Sequence, residues 1–415
     1  MDVIGDILLL ILERIDSPVY LVRAASTCKR WHGIIADAGF LRRFRSAHAP
    51  SLVAGDYFNG MFSETALKLL SFVLVPRLKD RPSFVPVAAS SSPIAARHYF
   101  SLDFLPGDGD DRPPHWAILD SRGSLLLLYR MASGRPFDGV YPDCVVCEPV
   151  TRRYKRIPPP PNLKPSYSYR GIYLIDGEAD MAGARIGMSN FRVLYMFEHY
   201  SPETGLDACT GTAMFTAGSS GSPSWGSWTP RLNQGLANMH DLGRAGGSQY
   251  FYVQGRNLLV ALDRSSGEFS HAVFPPPSEN QGDGDGDFDL PTCRRLFYAT
   301  DGRDGEPRIF TVFDETMRVY AKLGGGEWAL EKSLSLPEAT RGLPGYQDEF
   351  FFGQPRPLDI VTRGPGYVIL SPRILATWLV TVDLETMQVT LAAAADTGAV
   401  MYRCEIPWPP VLNSV

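Results

Sequence analysis

Apolar positions follow a helical period over residues 3–44 and a strand-like one over much of the remaining chain. Ile4, Ile7, Leu8, Ile11, Leu12 and Ile15 recur at steps of three and four, which is one face of a helix. Asp16 ends that run, and Ser17-Pro18 supply an N-cap and a first position for the next helix. In that second run Leu21, Ala25, Cys28, Trp31 and Ile35 keep the same spacing, and Gly39 sets off a last turn with Phe40, Leu41 and Phe44. Leu9 and Leu10 widen the first apolar face beyond what three short helices can bury among themselves. The excess predicts a contact surface, either against the rest of the chain as a helical cap or against a partner.

Residues 47–60 read as a linker, 62–75 fit helix or strand, and the Pro-, Ser- and Ala-rich stretch 82–96 reads as an exposed loop. From Trp116 onward short β segments dominate. Trp116–Leu119, a turn at Asp120-Ser121-Arg122-Gly123, and Leu125–Tyr129 give the clearest hairpin. A strand–turn–aromatic strand–Pro unit then recurs: Cys144–Pro161 with Tyr154, Leu259–Pro276 with Phe269, and Val319–Pro337 with Trp328. Val380–Val389 adds a strand–turn–strand copy. Val146, Leu262, Leu323 and Val382 begin their turns at intervals of 116, 61 and 59, and a degenerate copy around Met214–Trp228 would divide the first gap. A period near sixty with several short strands per unit predicts a β-propeller of about six blades; a pair of β-sandwiches is the alternative. The expected fold class is α+β overall, small N-terminal helices followed by an all-β propeller.

The helical stretch resembles an F-box, the motif that docks a substrate receptor onto the Skp adaptor of a cullin-based ubiquitin ligase. Ile11-Leu12-Glu13-Arg14-Ile15, Leu21-Val22-Arg23, Cys28-Lys29-Arg30-Trp31 and Phe40-Leu41-Arg42-Arg43 carry the likeness. Such motifs usually open Leu-Pro, where this chain has Val3 and Ile4. The repeat is similar to the kelch-like, F-box-associated domains of plant proteins, and Ile406-Pro407-Trp408-Pro409-Pro410 resembles the ending of grass F-box proteins. The resemblance implies an F-box domain over residues 1–46 and a kelch-like propeller over 61–415. It also implies an adaptor surface at Val3, Ile4, Ile7, Leu8, Ile11, Leu12, Ile15, Leu21, Cys28 and Trp31, with cullin reached through the adaptor. The propeller would hold a target protein, and the ligase chemistry would belong to other subunits. A propeller enzyme acting on carbohydrate, with Asp, Glu and Arg converging on the central channel, and an interaction module with a decayed F-box are the alternatives.

The net charge of −5, about +2 on residues 1–50 and −7 beyond, argues against a nucleic-acid partner. Six scattered cysteines form no disulfide framework, and with no signal peptide or apolar span the expected location is cytoplasmic or nuclear, without a membrane. Cys144-Val145-Val146-Cys147 has metal-like spacing, but strand alternation sends the sulfurs to opposite faces, so both read as core. Asp283–Asp287 mimics a calcium loop, yet Phe288 and Arg294 stand where glycine and glutamate are required. Nucleophile elbows, phosphate loops and paired metal-binding histidines are missing from the sequence, so no catalytic residue, metal or cofactor is expected. Aromatics in Gly-, Ser- and Pro-rich loops, Tyr167, Tyr169, Trp225 and Trp228, are the candidate target anchors, with inter-blade packing as the competing role. Tyr346 and Phe350–Phe352 form a second such group.

Overall fold

Both regimes appear in the computed structural model of the chain. It describes residues 3–15, 18–37, 39–40, 43–44, 53–59, 82–86, 99–107, 116–130, 143–161, 167–177, 186–199, 209–217, 224–226, 229–232, 239–253, 257–275, 297–313, 315–324, 326–351, 358–372, 378–392 and 401–406. The helices are α1 (Val3–Glu13), α2 (Pro18–Ala25) and α3 (Lys29–Ile35). Phe40 stacks on Phe44 after α3, and Arg43 pairs with Glu13 of α1 at 2.6 Å.

Six antiparallel sheets follow among the described residues, each a blade of a propeller. Blade 1 joins β1 (Val53–Phe58) and β2 (Ser83–Pro86) to β24 (Met401–Glu405). Blade 2 is β3 (Trp116–Arg122), β4 (Leu125–Arg130), β5 (Cys144–Glu148) and β6 (Arg153–Ile157). Blade 3 is β7 (Tyr167–Ile175), β8 (Arg192–His199) and β9 (Cys209–Thr216), with β10 (Ser224–Trp225) and β11 (Thr229–Leu232) both paired to β9. Blade 4 is β12 (Met239–Ala245), β13 (Ser248–Val253), β14 (Leu258–Asp263) and β15 (Phe269–Val273). Blade 5 is β16 (Phe297–Asp301), β17 (Pro307–Phe313), β18 (Thr316–Lys322) and β19 (Trp328–Ser335), followed by the short helix α4 (Leu336–Thr340). Blade 6 is β20 (Leu358–Gly364), β21 (Tyr367–Pro372), β22 (Val380–Asp383) and β23 (Val389–Leu391).

Hydrophobic clusters lie between successive blades, because middle strands such as β4, β5 and β13 are buried on both faces and have a neighbouring sheet on each side. Cys144 and Cys147 show the alternation directly: the first enters the cluster between blades 2 and 3, the second that between blades 1 and 2. Burial pushes the Cys144 thiol up to about 12, as suits a core residue.

The recurring unit seen in the sequence is the outer hairpin of each blade. β5–β6, β14–β15, β18–β19 and β22–β23 are its four clear copies, and β9–β10 is the degenerate one. In two copies an aspartate closes the turn: Asp263 Oδ1 accepts from the Ser265 and Ser266 amides, and Asp383 Oδ1 from the Glu385 and Thr386 amides. Each turn ends on a left-handed residue, Arg152, Gly267, Gly326 or Met387. The hydrogen bonds to Asp263, led by the Ser265 hydroxyl, hold its carboxyl below the ordinary range. A depressed carboxyl stabilises the fold above its unfolded pKa, about 3.9, and loses that contribution as pH falls through its folded value. Asp263→Asn keeps the turn without the titration, so the drop in melting temperature between pH 7 and pH 3 should shrink in that variant.

Three expectations change. Residues 53–58, inside the stretch read as a linker, form β1: Tyr57 is fully buried and donates to the Phe100 carbonyl at 2.7 Å. Residues 83–86, read as loop, form β2, an edge strand whose last residue is Pro86 and whose Phe84 stacks on Phe100. Asp120, Ser121 and Arg122, read as a turn, belong to β3; the turn is Gly123, at φ 56°, with Ser124. A bulge between Ile118 and Asp120 hid this strand by breaking its alternation. The 283–287 segment lies outside the described residues.

Candidate functional site

The apolar face of α1 is two rows. Leu8, Leu9, Leu12 and Ile15 turn inward, into one continuous cluster that also holds Leu21, Val22, Ile35, Phe40 and Phe44 of the helical stretch and Tyr57, Phe100, Val145 and Cys404 of the propeller. Arg23 fastens the junction, donating to the Val150 carbonyl at 3.3 Å and lying 4.4 Å over the Tyr99 ring. Ile7, Leu10 and Ile11 turn outward and are 53%, 57% and 55% exposed. Leu12 and Leu21, grouped in the sequence with the outward residues, are fully buried and unavailable to a partner, because the hollow between blades 1 and 2 takes them. Leu8 and Ile15 pack partly against the same cluster, as does Trp31, while Cys28 is exposed. Val3 and Ile4 open α1, and their side chains lie outside the described residues. Leu10, which the sequence marked only as surplus, completes the exposed row.

Of the four aromatic candidates, Tyr167 and Trp225 occupy distant strand positions. Tyr167 begins β7 and pairs in register with His199, whereas Trp225 pairs with Phe215 near the opposite end of the same blade. The side chains of Tyr167 and Tyr169 lie outside the described residues, as does the whole of Trp228. Trp225 is half-buried, with ring contacts to Tyr195 at 5.1 Å and Phe215 at 5.4 Å, so it packs in its blade. Tyr346, Phe350 and Phe351 join the cluster between blades 5 and 6 around Trp378; Phe352 lies outside the described residues.

The second surface was not legible in the sequence. A funnel of about 330 Å³ opens where β3, β12, β16, β20 and β24 end. Strands alternate in direction, so these ends share one face of the propeller with the β5–β6 turn that Arg23 touches. Five arginines line it, Arg122, Arg244, Arg264, Arg363 and Arg403, with three carboxylates, Asp56, Asp301 and Glu405. Its floor is an ionic staple. Buried Asp120 accepts from Arg244 Nη1 at 2.9 Å, Arg264 Nη2 at 2.8 Å and the Leu174 amide at 2.7 Å. Blades 2, 3 and 4 are thereby tied together. Burial brings the Arg264 guanidinium down to about 10 against the pull of Asp120. Arg122 makes a bidentate pair with Asp176 at 2.8 and 2.6 Å, which raises its pKa. Arg363 donates to the Leu242 carbonyl at 2.7 Å, in space that only glycine leaves: a Cβ on Gly243, at φ 100°, would sit 2.0 Å from its Nη2. Arg403 is 49% exposed and pairs with Asp56 at 3.6 Å, beyond good hydrogen-bonding reach. Burial raises the Asp56 carboxyl, with Arg403 opposing it. Arginine and carboxylate do converge on the channel, as a propeller enzyme would require; the excess of guanidinium groups suits recognition of an anion better than paired-carboxylate chemistry.

Residues 6–46 match the F-box-like family. No curated protein matches the chain. Among solved structures, Citrobacter koseri AztD aligns at 12% identity and a TM-score of 0.31, over 71% of this chain and 63% of that one. A protein of unknown function from Desulfotomaculum acetoxidans aligns at 11% and 0.34, over 69% of this chain and 75% of that one. A Lactobacillus plantarum protein aligns at 10% and 0.31, over 85% and 98%. Likeness at this level does not bear on what the chain does.

Proposed function

We propose that this chain is a non-enzymatic substrate receptor of a Skp–cullin–F-box ubiquitin ligase. One observation carries the reading: Ile7, Leu10 and Ile11 stay exposed on a stretch that matches the F-box-like family, while its other described apolar residues are largely covered by the propeller. Three large aliphatic side chains on one helix face form a contiguous docking row, whereas the other exposed aliphatics among the described residues, Val85, Val273, Leu323, Leu330 and Leu391, fall on separate segments of blades 1, 4, 5 and 6. An adaptor seated there would leave the propeller to hold the target, in the cytosol or nucleus, and would act by proximity, raising the effective concentration of target lysines near the ligase machinery. The hydrophobic cluster shared by helices and blades supports this, because it holds the two surfaces in a fixed relation. The strand–turn–aromatic–strand repeat supports a kelch-like domain of the plant type.

The test uses the outward row alone. Ile7→Asp with Ile11→Asp should abolish co-purification with a Skp-type adaptor and leave the melting temperature within a degree or two, since surface changes usually stay within about 0.5 kcal/mol. Full adaptor binding by this variant would overturn the reading. Leu12→Asp is uninformative about docking, because it places a charge in the core and unfolds the junction.

A further inference from the structure

The geometry points to the funnel as the receiving site for an anionic side chain on an extended segment of the partner protein, held by Arg403, Arg244 and Arg363. This rests on the receptor reading and deepens it. The three arginines come from blades 1, 4 and 6, so they approach the axis from different sides. Tyr402 lies 5.5 Å beneath the Arg244 guanidinium, and Tyr298 lies 5.6 Å beneath that of Arg363. Ring contacts of this kind fix the plane of a guanidinium, and with Arg244 Nη1 on Asp120 and Arg363 Nη1 on the Leu242 carbonyl they hold both heads in place at the funnel wall. Arg403 is the most adaptable of the three, half exposed and held by its 3.6 Å ion pair with Asp56.

The class of partner follows from the carboxylates. Asp56, Asp301 and Glu405 interleave with the arginines, and the residues beyond position 50 carry about −7. A nucleic acid or other polyanion would meet repulsion at each of them. A peptide with one or two anionic side chains would not: its acid enters between the guanidinium groups, and its backbone N–H groups face the carboxylates. Asp56 Oδ1 is buried with Arg403 Nε 3.6 Å away, so a shift of Arg403 onto the ligand's acid bares this acceptor for such an N–H. At about 330 Å³ the funnel is at the small end of ligand sites, roughly 300–1,000 Å³, so it suits a short extended segment and not a folded element. Aspartate, glutamate and phosphoserine share this chemistry.

Fluorescence anisotropy on the 415-residue chain tests it with three labelled glycine hexapeptides that carry one glutamate, one glutamine or one phosphoserine at the third position. The glutamate or the phosphoserine peptide should bind at least ~tenfold more tightly than the glutamine peptide, with affinity falling as salt rises. The tighter of the two identifies the acid as carboxylate or phosphate. Arg403→Glu should weaken that binding ~tenfold or more at unchanged melting temperature, and Arg403→Lys should recover part of it. Equal binding of the charged and neutral peptides, or wild-type affinity in Arg403→Glu, would overturn the inference. Adaptor co-purification is measured on the same samples. Its loss beside intact peptide binding removes the receptor reading alone, and its retention beside absent peptide binding removes the funnel alone.

Discussion

Deleting residues 400–415 should abolish folding of the propeller, leaving aggregated protein in place of a soluble, cooperatively melting species. β24 lies beside β1 in register from Val53↔Glu405 to Phe58↔Met401, and is the inner strand of blade 1 next to β3. The Glu405 amide donates to the Gly123 carbonyl at 2.8 Å, tying the last strand to blade 2. Tyr402, Cys404 and Ile406 are buried in the cluster that also holds the helices. Withdrawing three such side chains removes on the order of 5 kcal/mol of burial, against a total stability of about 5–15 kcal/mol for a typical domain. The deletion also leaves β1, the strand of buried Tyr57, with an open edge, which favours pairing with another chain. Size-exclusion chromatography and a thermal melt decide the matter: a monomeric truncation with one sharp transition would show that the ring does not depend on this closure. Because α1–α3 share the cluster, adaptor binding should fall with it.

The outer hairpins were legible because their turns are short and chemically explicit, with an aspartate or glycine at fixed positions and an aromatic in the returning strand. The inner strands were not. β3, β7, β12 and β20 each carry a register shift, at Ile118/Asp120, Tyr169/Gly171, Asp241/Gly243 and Ile360/Thr362. One extra residue reverses the face of every side chain after it, so a period of two breaks in the middle of each run. These bulged strands supply much of the funnel wall, and its arginines come from separate blades with no common spacing. The N-terminal helices were legible as helices, but the sequence could not divide their apolar face: Leu12 and Ile11 are adjacent and chemically alike, and only the hollow between blades 1 and 2 sends one inward. One signal was available and passed over. In the turn of blade 4 the residue after the aspartate is Arg264, where the equivalent turn of blade 6 has buried Leu384. A charge in a position that its repeat fills with leucine marks a distant partner.

That partner is Asp120, and its loss should be the costliest single substitution in the funnel wall. Asp120→Ala removes the acceptor for Arg264 Nη2, Arg244 Nη1, the Ser121 amide and the Leu174 amide together. Arg264 keeps the Leu174 carbonyl at 3.2 Å and the Ser121 carbonyl at 3.1 Å, but its charge remains, with a side chain only 5% exposed. Breaking a buried pair from one side typically costs about 3–5 kcal/mol, because the surviving charge is left without compensation. Replacing both partners by apolar groups is often close to neutral, so Asp120→Ala with Arg264→Leu should recover most of the loss; Leu384 shows that this turn accepts leucine. The single and double variants form a cycle whose coupling free energy should exceed about 1 kcal/mol. Urea unfolding at pH 7 measures it. An Asp120→Ala protein within about 0.5 kcal/mol of wild type, the usual range for unimportant surface changes, would mean that the staple does not hold blades 2, 3 and 4 together. If the double variant is stable yet binds the single-glutamate peptide less tightly than wild type, the staple's role is to aim Arg244 into the funnel, and specificity has been kept at little gain in stability.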